Sequence, residues 1–375
     1  MTCDSEPRVV AAPDKFRGTA TAVELAATMS RAARSAGWSC DEAPVADGGE
    51  GILEALGGDR RVTTVRGPLG QPVEAEWRET ADDTAVVEMA RASGLDQAGG
   101  AEENDPLRAS TYGTGELIAA AIAGGARRVV VGMGGSATTD GGLGAVSALR
   151  AARLVHSGDY SRPGAHRAPV KLTVEVVVAC DVTTQFVDAA ERFAPQKGAS
   201  DAQVSLLRRR LERLAQVYER DFGIDVREIV GSGAAGGLAG GLAAVGATLV
   251  GGFDLVATEL DLAARISTAD LVITGEGRLD AETFSGKAVG GVAALAAAEG
   301  VPVLVVAGEV DTDAVPGDWA DPEIAVVSLV DRFGAEEAMA RTTECVATVV
   351  AEYLATHPDQ PRAPRSEGRS GPGGR

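Results

Sequence analysis

Carboxylates and lysines recur in this sequence at one kind of place, directly after short runs of valine, isoleucine and alanine. Asp14, Lys15 and Arg17 follow the run 8–12, and Asp47 and Glu50 follow 43–46. Asp140 follows 128–131, Asp181 follows 174–179, and Glu276, Asp280 and Lys287 follow 270–274. Glycines flank several of them: Gly48 and Gly49, Gly134 and Gly135 before Ser136, and Gly275. Glycine lets a backbone approach a ligand closely and turn its N–H groups toward an anion. A carboxylate accepts a hydroxyl proton, while lysine and a carboxylate-bound Mg²⁺ offset phosphate charge. Together these groups fit phosphoryl transfer from ATP better than hydride transfer or hydrolysis.

The stretch "VVVGMGGSATTDGG" at 129–142 matches G-x-G-x-x-[GA] after an apolar run. A dinucleotide site also needs a prompt helix, a second strand and an acid about 20 residues on. Here the glycines continue through Gly144 and delay the helix, and the next acid after Asp140 is Asp159, 27 residues beyond Gly132. The nicotinamide reading is rejected, and Gly134, Gly135 and Ser136 remain as an anion cradle. Lys287 sits in the first turn of a helix capped by Ser285. A cation there opposes the helix dipole by about 0.3–1 kcal/mol, and a bound anion removes the conflict. Ala281 and Ala288 break the Walker A pattern.

The elements that must position these groups read as α/β. Runs at 8–12, 128–131, 174–179, 270–274, 301–307 and 324–329 are continuous and Val/Ile-rich, as parallel strands covered on both faces are. A helix at 19–36 carries a capping box, Thr21 with Glu24, and stops at Gly37. The segment 63–90 differs: it reads as antiparallel hairpins turning at 67–70 and 82–83, the start of a second, mixed sheet. The first run and the last three belong to one sheet, with the middle inserted. Formal charge is −19, which argues against nucleic-acid or anionic-membrane binding. The four cysteines form no CxxC pair, consistent with a reduced cytoplasm. His156, His166 and His357 lie in polar segments and are not candidates for catalysis or metal. The opening "MTCDSEPRVVAAPDK" lacks the pattern of a signal peptide. The uncharged stretch 231–253 has nine glycines in 23 residues and reads as a packed loop and helix, not a membrane span.

Several blocks in order resemble the type I glycerate kinases: "APDKFRG" (12–18), "PVADGGEG" (44–51), "EMARASGL" (88–95), "STYGTGELI" (110–118), "GMGGSATTDGG" (132–142), "ACDV" (179–182), "PQKGA" (195–199), "GSGAAGGL" (231–238) and "DLVITGEGRLD" (270–280) with Gly286 and Lys287. The resemblance covers about residues 8–310. It implies two α/β domains with the active site in the cleft between them: a Rossmann-like parallel-sheet domain (1–62 and 265–357) and an inserted mixed-sheet domain (63–264), followed by a disordered tail (358–375). It implies transfer of the ATP γ-phosphoryl to a hydroxyl of D-glycerate with Mg²⁺, 2-phosphoglycerate being the favoured product. Asp47 or Asp181 orients the acceptor hydroxyl and, with Lys287, makes the catalytic set. Lys15, Arg17, Gly48, Gly49, Gly134, Gly135, Ser136, Lys197 and Gly275 bind substrate or phosphate. Glu276 and Asp280 are the Mg²⁺ candidates. A cytoplasmic enzyme is expected, with a homodimer as the candidate assembly and neither nucleic acid nor membrane as partner. The family's usual lysine is Arg17 here, "TTDGG" replaces Thr-Asn-Asp-Gly-Gly, and the stretch after Asp181 departs from the family pattern. These departures keep two alternatives open, a kinase of another small hydroxy acid and a non-catalytic metabolite sensor.

Overall fold

The computed structural model describes residues 6–156, 171–281, 283, 288–313 and 324–357. Ser285, Gly286, Lys287 and the tail from 358 lie outside the described residues. The chain forms two compact units, Met1–Val45 with Ala257–Arg375, and Ala46–Val256.

The first unit is built on a five-stranded sheet, with strands β1 (Arg8–Ala11), β2 (Ser39–Glu42), β11 (Leu271–Leu279), β12 (Val303–Val310) and β13 (Ile324–Ser328) in the order β13-β12-β11-β1-β2. All its pairings are parallel, so the first strand and the last three do share a sheet. Val9, Ile273, Leu304 and Val306 are fully buried, with Leu25, Met29, Val346 and Val350 packed in the same core. The helix Ala22–Ser35 forms where its capping box predicts. Glu24 N donates to Thr21 Oγ1 (3.2 Å) and Thr21 N donates to Glu24 Oε2 (2.9 Å).

Two boundaries differ from the sequence reading. The strand expected at 43–46 is instead β2, one turn earlier. Its residues "SCDE" are half-exposed on the sheet edge, so they carry no buried apolar run to read. Residues 43–46 are irregular, held by Ala43 N to Ala11 O and Val45 N to Pro13 O. The strand expected to end at Thr274 runs on to Leu279. Glycine in a strand interior signals a break, but β12 supplies a parallel partner throughout, from Val272↔Val303 to Leu279↔Val310. Gly308 allows the approach, since a Cβ there would strike the Gly277 carbonyl. Gly275 and Glu276 are therefore strand residues, not loop residues.

The second unit carries a six-stranded mixed sheet. Its strands are β3 (Asp59–Arg66), β4 (Pro72–Glu79), β5 (Thr84–Glu88), β6 (Arg128–Gly132), β9 (Glu175–Ala179) and β10 (Thr248–Val250), in the order β10-β9-β6-β5-β4-β3. A two-stranded ribbon, β7 (Val155–His156) with β8 (Lys171–Leu172), lies apart from it. β3, β4 and β5 pair antiparallel through the two expected turns, and β5, β6, β9 and β10 are parallel. The glycine-rich stretch forms a wholly buried helix, Ala234–Ala244, whose start is broken by left-handed backbone at Ala235, Gly236 and Gly237. Among the described residues no helix is long and apolar enough to cross a membrane.

Candidate active site

In the second unit the carboxyl ends of β6 and β9 meet the turn at residues 47–49. Met133 N donates to Gly48 O (3.0 Å), and Gly49 N donates to Asp47 Oδ1 (3.2 Å). The glycines are there because the backbones touch. A Cβ on Gly48, whose φ is +80°, would lie 2.5 Å from Gly252 Cα and 3.1 Å from Ala179 Cβ. One on Gly134 would lie 2.7 Å from Glu50 N and 2.9 Å from Gly49 Cα. Ser136 forms a bridge with Gly94, and Gly135 O accepts from Leu95 N (2.8 Å).

Asp181 stands two residues beyond the end of the loop's neighbour strand, β9, and opposite the helix Gly252–Glu259. Its Oδ1 accepts from Gly252 N at 2.6 Å. Its Oδ2 is buried without a hydrogen-bond partner. Burial pushes the carboxyl up to about 6; the amides of Gly252 and Phe253 oppose the rise, and the charges of Asp47 and Asp254 add to it. The result is a half-buried carboxylate with one oxygen anchored and the other buried and unpartnered, within reach of the charge of Asp47.

Asp140 has a different part. Its carboxylate accepts from Thr111 N (2.9 Å), Thr111 Oγ1 (2.9 Å), Gly142 N (3.0 Å) and Gly144 N (3.1 Å). It braces the glycine-rich loop, which is the turn role that aspartate plays so often. Lys197 lies beneath that loop, 2% exposed, and donates to Thr138 O at 2.6 Å. Burial pushes its pKa down to about 7, opposed by the charge of Asp140.

In the first unit a second group of predicted residues gathers around β1 and β11. Asp14 N donates to Gly275 O (2.9 Å), Lys15 N donates to Asp14 Oδ1 (2.7 Å), and the Lys15 ammonium lies 3.9 Å from the same oxygen. A Cβ on Gly277 would come 3.3 Å from Arg17 N. Glu276 and Asp280 are linked through one hydroxyl. Thr283 Oγ1 donates to Glu276 Oε1 at 2.6 Å and accepts from Asp280 N at 3.1 Å.

The structure thus joins Asp47, Gly48, Gly49, Gly134, Gly135 and Asp181 in one place and sets Ser136 on the same loop. Lys15, Arg17, Gly275, Glu276 and Asp280 form a second group. Four residues with a hand in these sites had no role in the sequence reading: Glu88, which accepts from Gly51 N at 2.7 Å, Gly252, Asp254 and Thr283. Only Glu88 had a signal, as the acid that closes the apolar run "TAVVE" and opens the quoted block "EMARASGL".

The model of the glycerate kinase family matches residues 9–357. Glycerate 2-kinase of Escherichia coli (strain K12) is 39% identical over 329 residues, which cover 82% of this chain and 86% of that protein. Glycerate kinase of Bacillus subtilis (strain 168) is 38% identical over 373 residues, covering 92% and 97%. A crystal structure from Salmonella typhimurium LT2, provisionally assigned as glycerate kinase 2, superposes with a TM-score of 0.75 at 34% identity, covering 93% of this chain and 98% of that one. With the family matched over nearly its entire length, this chain belongs to the glycerate kinase family.

Proposed function

We propose that the chain transfers the γ-phosphoryl group of ATP to the 2-hydroxyl of D-glycerate, giving 2-phosphoglycerate and ADP. The single observation that carries this reading is Asp181, with one oxygen fixed by Gly252 and the other buried and unpartnered. With a pKa of about 6, about ten carboxylates are ionised for each one protonated at pH 7, yet the group stays basic enough to take a proton. In the proposed step Asp181 accepts the proton of the acceptor hydroxyl. That oxygen bonds to the γ-phosphorus, and the bond from phosphorus to the β–γ bridging oxygen breaks. Asp47 keeps Asp181 basic by charge. The amides of the Gly134–Ser136 loop and that of Gly48 receive anionic oxygens, while the Gly49 amide holds Asp47.

Lys15, Arg17 and Gly275 are assigned to phosphate, and Lys287 to the transferring group. Lys197 acts from beneath the Gly134–Ser136 loop. Mg²⁺ typically takes one or two carboxylates, with phosphate and water completing its shell. Among the described residues no set of three metal-ligating side chains occurs, while Glu276 and Asp280 supply a pair, so the residues fit. Glu276 and Asp280 would hold the ion, which when bound offsets phosphate charge. Cys40, Cys180 and Cys345 are free thiols, in keeping with a cytoplasmic enzyme, and a homodimer is the assembly that sedimentation would test.

The test is incubation with ATP, Mg²⁺ and D-glycerate, with the product read by phosphorus NMR. A doublet from phosphate on C2 supports the reading; a triplet from phosphate on C3 overturns the regiochemistry, and no ADP formation overturns the activity. A second reading, another small hydroxy acid as acceptor, is favoured by the departure of the stretch after Asp181, where Val182 is exposed and Phe186 is fully buried. It predicts a higher kcat/KM for tartronate or a related acid than for glycerate.

A further inference from the structure

Glu88 takes no part in the chemistry above, yet it stands directly behind the turn that carries Asp47. It closes β5, is 3% exposed, and pairs with Gly132 at the end of β6. Oε1 accepts from Gly51 N at 2.7 Å and lies 3.5 Å from Leu53 N. Oε2 accepts from Arg91 Nε at 2.9 Å, and Arg91 Nη2 reaches Glu54 Oε1 at 3.4 Å. The carboxylate therefore ties down Gly51, at φ +96°, and the start of the helix Ile52–Leu56. Gly48, Gly49 and Gly51 give this turn little stiffness of its own. Its position depends on Met133 N from one side and Glu88 from the other.

We propose that Glu88 is a positioning residue for phosphoryl transfer: held by Arg91, it fixes the turn that presents Asp47 and Gly49 beside Asp181. This rests on the assignment of Asp47 and Asp181 to the acceptor. Burial raises the Glu88 carboxyl; the charge of Arg91 opposes that rise and the charge of Glu54 adds to it, so the Arg91 pair favours the charged acceptor of the Gly51 amide. An Asp47 that drifts away also repels the Asp181 charge less, so loosening the turn acts on the reacting carboxylate.

The test combines hydrogen exchange with steady-state kinetics on the full chain and two variants. Glu88→Ala removes both ends of the clamp. Glu88→Gln keeps the volume and the acceptor toward Gly51 but sets a donor against Arg91. In Glu88→Ala the amides of residues 48–53 should exchange at least about tenfold faster. Its kcat should fall by roughly 100-fold, as a misplacement of about 1 Å does, with KM for ATP within about twofold. The acid limb of its pH–rate profile should move to lower pH, which mere loss of stability would not cause. Glu88→Gln should fall between wild type and Glu88→Ala in both exchange and kcat. Unchanged exchange in both variants overturns the proposal, as does a loosened turn with kcat within about threefold of wild type. A wild-type chain without glycerate phosphorylation overturns the parent reading alone; the exchange data then still confirm or overturn the clamp.

Discussion

Replacing Lys197 by methionine should remove a pH dependence from the stability of this protein. The lysine is 2% exposed and donates to the Thr138 carbonyl at 2.6 Å. Burial lowers its pKa from 10.5 to about 7, opposed by the charge of Asp140. Below pH 7 folded and unfolded chains are both protonated, and the full cost of burying the charge is present. That cost is on the order of 5 kcal/mol for a shift of this size. Between pH 7 and 10.5 the unfolded chain carries a proton that the folded chain lacks, so stability rises with pH, by up to about 1.4 kcal/mol per pH unit. Above 10.5 both states are neutral and the cost is gone. The assay is urea denaturation of wild type and Lys197→Met at several pH values. Because the two chains differ only at residue 197, subtracting their unfolding free energies isolates it. Wild type minus variant should rise by about 2–3 kcal/mol from about pH 7.5 to about pH 9.5. A difference that stays flat would mean that the lysine titrates as if solvated and that its burial carries no such cost.

Other substitutions test the scaffold around the site. Ala235 adopts φ 51°, ψ 42°, a left-handed conformation that costs a residue with a Cβ about 1 kcal/mol. Ala235→Gly should therefore raise the unfolding free energy from urea denaturation slightly, and a fall of more than about 1 kcal/mol would show that the methyl's packing outweighs the strain. Asp140→Asn cannot satisfy all the donors that converge on this carboxylate. It should destabilise by about 2–4 kcal/mol, measured by denaturation, and weaken glycerate binding through the loop. The wild-type acid limb in kcat/KM should fall near pH 6, the pKa of Asp181, with activity lost as pH drops through it.

The parts of the fold that were legible in the sequence are those whose local pattern agrees with their tertiary role. β1, β6 and β9 are continuous apolar runs buried on both faces, and Thr21 with Glu24 announces its helix. β2 is hidden because an edge strand of mixed polarity has no such run. β11 outlasts its apolar segment because its continuation through Gly275 and Gly277 depends on pairing with β12. The site follows the same division. Asp181 stands out as an acid after a strand, but its anchor is an amide 71 residues away. Asp140 and Asp181 look alike in sequence; only the donors that converge on Asp140 mark it as a brace. Lys197 reads as an ordinary phosphate-binding lysine, and its burial beneath the loop is a property of packing alone.

In the proposed reaction Asp181 takes the proton of the glycerate hydroxyl. The most direct measurement is the rate of ADP release from ATP with D-glycerate for wild type and Asp181→Asn, both shown folded by circular dichroism. The asparagine keeps an oxygen for the Gly252 amide but cannot accept the proton, so kcat should fall by roughly 10²–10⁴-fold. An Asp181→Asn variant that phosphorylates glycerate within about fivefold of wild type would contradict this role.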